Sequence, residues 1–242
     1  MKNLTKFAIL TSALVSCGAF AQSSTISTGG TVTPNACTLS ITTAGTAGAQ
    51  HGGRSKTDML ALLDSSTVSS GPDYKSLTGQ THALTVACSS ATKVTLEFVD
   101  NKASSLPPAG ATTSNSGQAY VIQPFGVGDA NNANAHIGMM ALYNNNITVN
   151  GGTVPGTKLR AVNSTSTWAA LVAGSQGTTH PTSITPSYIY AFTPAAGATA
   201  PVAITSMEGT IGTEMFLNRP YVAASTAALS FNSNVTVSLR YF

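Results

Sequence analysis

The chain has 242 residues, enough for one sizeable core, and only 8% of them are charged while 42% are hydrophobic. Eleven Lys and Arg against eight Asp and Glu give a formal net charge of +3, with no basic block that would track a nucleic acid or an anionic surface. The solvated face must be built largely from Ser, Thr, Asn and Gly, which suits an exported β-protein and argues against a nucleic-acid-binding or helical membrane class.

The chain opens with Lys2 and Lys6, an apolar run over residues 7–15, and the small-residue ending Ala19-Phe20-Ala21 before Gln22. These are the three parts of a secretory signal peptide, and cleavage between Ala21 and Gln22 is expected. Removing 21 of the 242 residues leaves a mature chain of 221, read as one domain over residues 22–242, with nine basic residues against eight acidic. A second reading takes Leu14-Val15-Ser16-Cys17 as a lipobox, which would leave Cys17 lipidated and the protein tethered to a membrane. The apolar run is shorter than the roughly 20 residues a spanning helix needs. Cleavage leaves two cysteines, Cys37 and Cys88, and an even pair in an exported chain is read as a disulfide.

Helical periodicity is confined to residues 57–64, where Met59, Leu60, Leu62 and Leu63 could cover one side of a turn or two. Period-two alternation is commoner. It runs through residues 84–88 and 94–98, with further strands expected over 31–41, 120–123, 137–143, 147–150, 187–192 and 202–207. Eight or more short strands predict an all-β sandwich. The Ser, Thr, Gly, Ala and Pro-rich stretches 103–118, 174–186 and 193–201 read as long polar surface loops.

The last fourteen residues place Leu229, Phe231, Val235, Val237, Leu239 and Tyr241 on odd positions, with Ser233 the one interruption, and polar residues between them. A sandwich that simply ends in a core strand would also look like this. An apolar alternating strand at this place needs something to hold it, however, because chain ends fray unless tied down.

The ending from Val235 to Tyr241 and Phe242 is similar to the C-terminal strand of chaperone-usher pilins. Thr33-Pro34-Asn35-Ala36-Cys37 with Leu84-Thr85-Val86-Ala87-Cys88 resembles the paired cysteines on the first two strands of those subunits. More narrowly, the run 91–102 ending in Asp100-Asn101-Lys102, then Phe125-Gly126-Val127-Gly128, then Ile137-Gly138, resembles a family of pilin-like proteins of unassigned function that accompany such gene clusters. The resemblance implies an immunoglobulin-like, pilin-type β-sandwich lacking its last strand. It also implies export through the periplasm of a Gram-negative bacterium, and assembly into a fimbria or surface fibre. The implied partners are a periplasmic pilus chaperone, an outer-membrane usher and neighbouring pilus subunits. Leu229, Phe231, Val235, Val237, Leu239 and Tyr241 would form the wall of the donor-strand groove, with the Phe242 carboxylate held by the chaperone. Two departures stand out: Leu229 replaces the glycine common at that point, and residues 22–36 carry only Ile26 as a large apolar residue before Val32, a poor donor strand. A minor or terminal structural or adhesive subunit is therefore expected.

No catalytic residue, cofactor site or metal site is expected. His51, His82, His136 and His180 are scattered without ligand spacing, and Gly126-Val127-Gly128 lacks the third glycine and following helix of a nucleotide loop. Asp129 with Asn131, Asn132 and Asn134 begins like a calcium loop but lacks the turn glycine and closing acid, so it reads as a polar turn. The alternative to a fibre subunit is a self-complete, lectin-like domain binding a host or surface glycan through Trp168, Tyr188, Tyr190 and Phe192. Core packing is the plainer use of those aromatics.

Overall fold

The computed structural model describes residues 36–43, 55–107, 124–129, 135–152, 157–162, 167–171, 183–194, 198–226 and 229–241, all within one compact unit, Asn35–Phe242. The expected leader with its Ala21/Gln22 cleavage, Cys17, the strand at 120–123 and Phe242 lie outside the described residues, as do His51 and His180. The strands are β1 (Cys37–Thr43), β2 (Ser69–Ser70), β3 (Tyr74–Thr92), β4 (Val94–Asp100), β5 (Phe125–Asp129), β6 (Gly138–Val149), β7 (Thr157–Ala161), β8 (Ala169–Leu171), β9 (Ser183–Ile184), β10 (Ile189–Thr193), β11 (Ile204–Asn218), β12 (Phe231–Asn232) and β13 (Val235–Tyr241). Among the described residues two helices, α1 (Lys56–Ser65) and α2 (Arg219–Ala224), and a 3-10 turn at Ala103–Ser105 accompany the strands.

The strands form two antiparallel sheets. The first runs in the order β1-β3-β11-β6-β5-β12, with β2 also pairing β3 and β9 pairing β6; the second runs β13-β4-β10-β7-β8. One cluster of buried side chains draws on both, including Leu84 and Val86 of β3, Leu96 and Phe98 of β4, Tyr190 of β10 and Met207 and Ile211 of β11, so the sheets form a sandwich-like pair around a common core. The alternation of β3 and β4 has this physical use: Leu84, Val86, Val94, Leu96 and Phe98 are all buried, each on the inward side of its pleat. Phe98 meets the Tyr190 ring edge-to-face at 5.8 Å, and the Tyr190 hydroxyl accepts from the Thr185 N–H at 2.7 Å.

Several elements differ from the sequence reading. The helix is nearly three turns long because the Ser55 Oγ caps it by accepting from the Asp58 N–H, and Met59 and Leu63, four residues apart, are its buried positions. The second helix, α2, carries no periodic pattern. It is set by its N-cap, where Asn218 Oδ1 accepts from the Tyr221 N–H at 2.8 Å, and by Pro220 in its first turn. Arg219 holds Asp64 of α1 through two hydrogen bonds of 2.7 and 3.0 Å, an exposed contact that keeps the Asp64 carboxyl below the ordinary range.

The strands expected at 137–143 and 147–150 are one strand, β6, because Asn146 takes the left-handed conformation (φ 48°) beside a register shift against β11 and so carries the strand on. The strand expected at 202–207 continues to Asn218 as β11, paired on both sides. Its Gly212 lies so close to the Tyr143 ring that a Cβ would stand 2.0 Å from it. The stretches expected to be surface loops also change character where they are described. Ser105 and Pro107 are buried, and Ile184, Thr185 and Thr193 are in the interior, because β9 and β10 draw them under the sheets.

Candidate functional site: an apolar groove between two sheet edges

The apolar run near the C-terminus does not form one strand. It breaks at Ser233 and Asn234 and is shared between the sheets: Phe231 of β12 pairs with Asp129 of β5 in the first, and Val235–Tyr241 forms β13, paired along its whole length with β4 in the second. Leu229, Phe231, Val235, Val237 and Leu239 are half-buried against the core, while Tyr241 is 50% exposed.

The quoted motifs meet physically at this junction. Asp100 accepts from the Lys102 N–H through Oδ1 and from the Gly126 N–H through Oδ2, both at 2.8 Å, and the Asn101 amide donates to Asn234 Oδ1 at 3.0 Å and Thr236 Oγ1 at 2.8 Å. A Cβ on Gly126 would lie 1.9 Å from the Lys102 carbonyl oxygen. The Gly126-Val127-Gly128 pair therefore allows β5 to lie against the end of β4, and the network fixes the start of β13.

Both sheets end on this side of the molecule. Among the described residues β1 pairs only with β3, and β13 only with β4. Cys37 and Cys88 form the disulfide and sit opposite one another with Cα atoms 3.9 Å apart, and the Ser89 N–H donates to the Ala36 carbonyl at 3.0 Å. In an antiparallel ladder these roles alternate, so the N–H and C=O groups of Cys37, Leu39 and Ile41 point away from β3, to the outer side. On β13 the Asn101 N–H donates to the Asn234 carbonyl at 3.0 Å, which by the same alternation turns the backbone of Val235, Val237, Leu239 and Tyr241 outward. The residues that direct apolar side chains between the sheets are thus also the ones that offer backbone hydrogen bonds to the outside.

Between the two edges lies a cavity of about 450 Å³. Its rim is Leu39 and Ile41 of β1 and Val235 and Val237 of β13. Its floor is Phe98, Met140, Leu142 and Ile211, with His82, Thr213 and Ser233 as the polar members. No Lys, Arg, Asp or Glu lines it. His82 is partly desolvated there, and burial holds its proton affinity below the ordinary imidazole value. At the disulfide end the two edges touch: the Cys37 N–H donates to the Tyr241 hydroxyl at 3.0 Å, and that hydroxyl lies 3.3 Å from the Cys37 carbonyl, to which it donates. Since Cys37 contacts Tyr241 and the cavity rim joins Leu39 and Ile41 to Val237 and Val235, β1 and β13 run antiparallel across the groove.

The structure brings Val235 and Val237 to the cavity, places Leu239 and Tyr241 further along the same edge, and sends Leu229 and Phe231 to the β5 side. Leu39, Ile41 and His82 complete the groove; none of them was expected there from the sequence, which offered His82 only as one of four scattered histidines. Leu39 and Ile41 alternate with Ser40 and Thr42, which is the signal that could have found them. Tyr190 and Phe192 are buried and Tyr188 is half-buried beneath the Arg160 guanidinium, 4.7 Å from its ring, so Tyr190 and Phe192 serve the core and form no sugar platform. Among the described residues no three His, Cys, Asp or Glu side chains gather as a metal site would need. No family model, curated protein or solved structure matches the chain.

Proposed function

We propose that the chain is a strand-accepting subunit of a surface fibre, exported through the periplasm and assembled by donor-strand complementation. The observation that carries this reading is the groove, where two sheet edges with outward backbone groups flank an uncharged apolar cavity. Such an edge invites pairing with another chain and is a liability unless covered, and the cover it fits is an extended strand with apolar residues at alternate positions. The strand order supports an immunoglobulin-type sandwich. An immunoglobulin domain sets strands A, B, E and D side by side in one sheet and pairs C with F in the other, with G beside F. β1, β3, β11 and β6 take the first order, β4 and β13 pair as C and F, and the groove lies where G would run.

On this reading a periplasmic chaperone lends the strand first, an outer-membrane usher receives the complex, and a neighbouring subunit's extension replaces the chaperone. The chain is then a structural or adhesive subunit with no catalytic role. The test is periplasmic expression of the full chain, alone and with a pilus chaperone, beside a variant lacking residues 235–242. Solubility that depends on the chaperone and is lost in the variant supports the proposal. A stable monomer without the chaperone refutes it and favours a self-complete domain.

A further inference from the structure

We propose that Tyr241 is the stop that sets how far an incoming strand enters the groove. This rests on the strand-accepting reading and adds to it the register of the partner. The groove's occupant is an extended segment with an uncharged inward face, because no Lys, Arg, Asp or Glu lines the cavity and both edges offer backbone groups rather than side-chain charge. Side chains on one face of such a segment recur every two residues, about 6.6 Å apart, which matches the spacing of the rim residues Leu39 and Ile41 on β1 and Val235 and Val237 on β13.

On β1 the outward backbone groups belong to Cys37, Leu39 and Ile41. The pair on Cys37 is already engaged, since the Tyr241 hydroxyl accepts from its N–H and donates its own O–H to its carbonyl. Tyr241 therefore stands in for the backbone of a strand at that position, and it does so across the groove, from the opposite edge. An incoming strand can pair with Leu39 and Ile41 on one side and with Val235, Val237 and Leu239 on the other. To reach Cys37 it must first break two hydrogen bonds. Entry is from the other end, where His82 lies opposite Thr43 and Ser233 precedes the start of β13, both polar members of the cavity. Because β1 and β13 run antiparallel, the occupant is parallel to one edge and antiparallel to the other.

The length of the accepted segment follows. From Leu39 to the end of β1 at Thr43, and from Val235 to Leu239, each edge offers about five residues of pairing, so a strand longer than that gains nothing while Tyr241 is in place. The test uses the oxidised chain, wild type and Tyr241→Phe, diluted from guanidinium into uncharged alternating Thr-Val peptides of about five to nine residues. Affinity is read from peptide-dependent stabilisation, and the footprint from hydrogen exchange at the Cys37, Leu39 and Ile41 amides. Wild type should stop gaining affinity at about five residues, with Leu39 and Ile41 protected by the peptide and Cys37 unchanged. Tyr241→Phe keeps the ring but frees Cys37, and should gain about fivefold from the next two residues, the worth of a net backbone hydrogen bond, with new protection at Cys37. Equal length dependence in the two chains, or peptide-induced change at Cys37 in wild type, overturns the stop while leaving the acceptor reading standing. Should Tyr241→Phe fail to fold, the Cys37 amide of the wild type decides alone. Failure of every peptide to bind either chain overturns the acceptor reading and this inference with it.

Discussion

Leu84 and Leu39 lie on neighbouring strands of the same sheet and both point toward the second sheet, yet Leu84 is 1% exposed and Leu39 is only half-buried. The same contrast holds across the sandwich, where Phe98 of β4 is 1% exposed and its pairing neighbour Val237 of β13 is half-buried. In each case the inner residue has a strand on both sides and the outer residue has one. Burial of an inward side chain is therefore decided by its lateral neighbours as much as by the facing sheet. The closed flank even keeps a lysine: Lys158 of β7 is 3% exposed, its ammonium 4.5 Å from the Tyr190 ring centroid and hydrogen-bonded to Asn144 Oδ1 at 3.0 Å. Burial, with Arg160 adding to it, drives its proton affinity well below the ordinary range. The open flank has no comparable cover among the described residues.

The largest effect is expected at Phe98. Replacing it by Ala removes a ring that is 1% exposed on a strand paired on both sides, and should cost about 3–5 kcal/mol in urea unfolding. A loss near 1 kcal/mol would mean that a strand with two neighbours covers its inward side chain no better than an edge strand does. Next comes the disulfide, which ties the edge strand β1 to β3 across a sequence separation of 51 residues. Replacing Cys37 and Cys88 by Ser should cost about 2–4 kcal/mol in the chain-entropy account, and hydrogen exchange should quicken in β1 before it does in β11. Equal exchange in the two strands would show that β1 is not the dependent edge.

A smaller effect is expected on the edge strand β13. Val237→Ala should cost about 1 kcal/mol in the isolated chain, where Val237 is half-buried, and roughly twice that once an extended peptide fills the groove. The same cost in both states would exclude Val237 from the occupied surface. The smallest effect concerns pH. Since burial lowers the proton affinity of His82, the unfolded chain takes up its proton first as pH falls. Stability is then level above about pH 6.5 and declines below it until the folded form is protonated too. Urea midpoints compared between wild type and His82→Gln across that range should diverge on acidification, and parallel curves would remove His82 as their source.

Local order was legible wherever one residue's surroundings are set by its near neighbours. The alternation of residues 84–88 and 94–98 marks strands with their buried faces correctly assigned, the Met59 and Leu63 spacing marks α1, and the even cysteine pair marks the disulfide. Where long-range partners decide, the pattern misled. The asparagines at 144–146 look like a break but lie within β6, because β11 holds that strand through a register shift at Asn146. The strand expected to end at 207 runs on through the glycines of β11, which sit in the middle of the first sheet where close approach of Tyr143 and Ile147 demands them. Thr185 reads as loop and is buried because the Tyr190 hydroxyl reaches its backbone.

At the candidate site, alternation alone makes the region around Val235 to Tyr241 a strand with one apolar face, because period-two alternation of β-formers leaves few other conformations that separate the two kinds of side chain. Long-range packing is what parts Leu229 and Phe231 from that strand, brings Leu39 and Ile41 of a distant segment to the opposite rim, and closes one end with Tyr241 on Cys37. Tertiary contacts join residues separated by most of the chain, 204 positions in the case of the Cys37 N–H and the Tyr241 hydroxyl, and no local pattern specifies which edge a strand will meet or whether its far side will be covered.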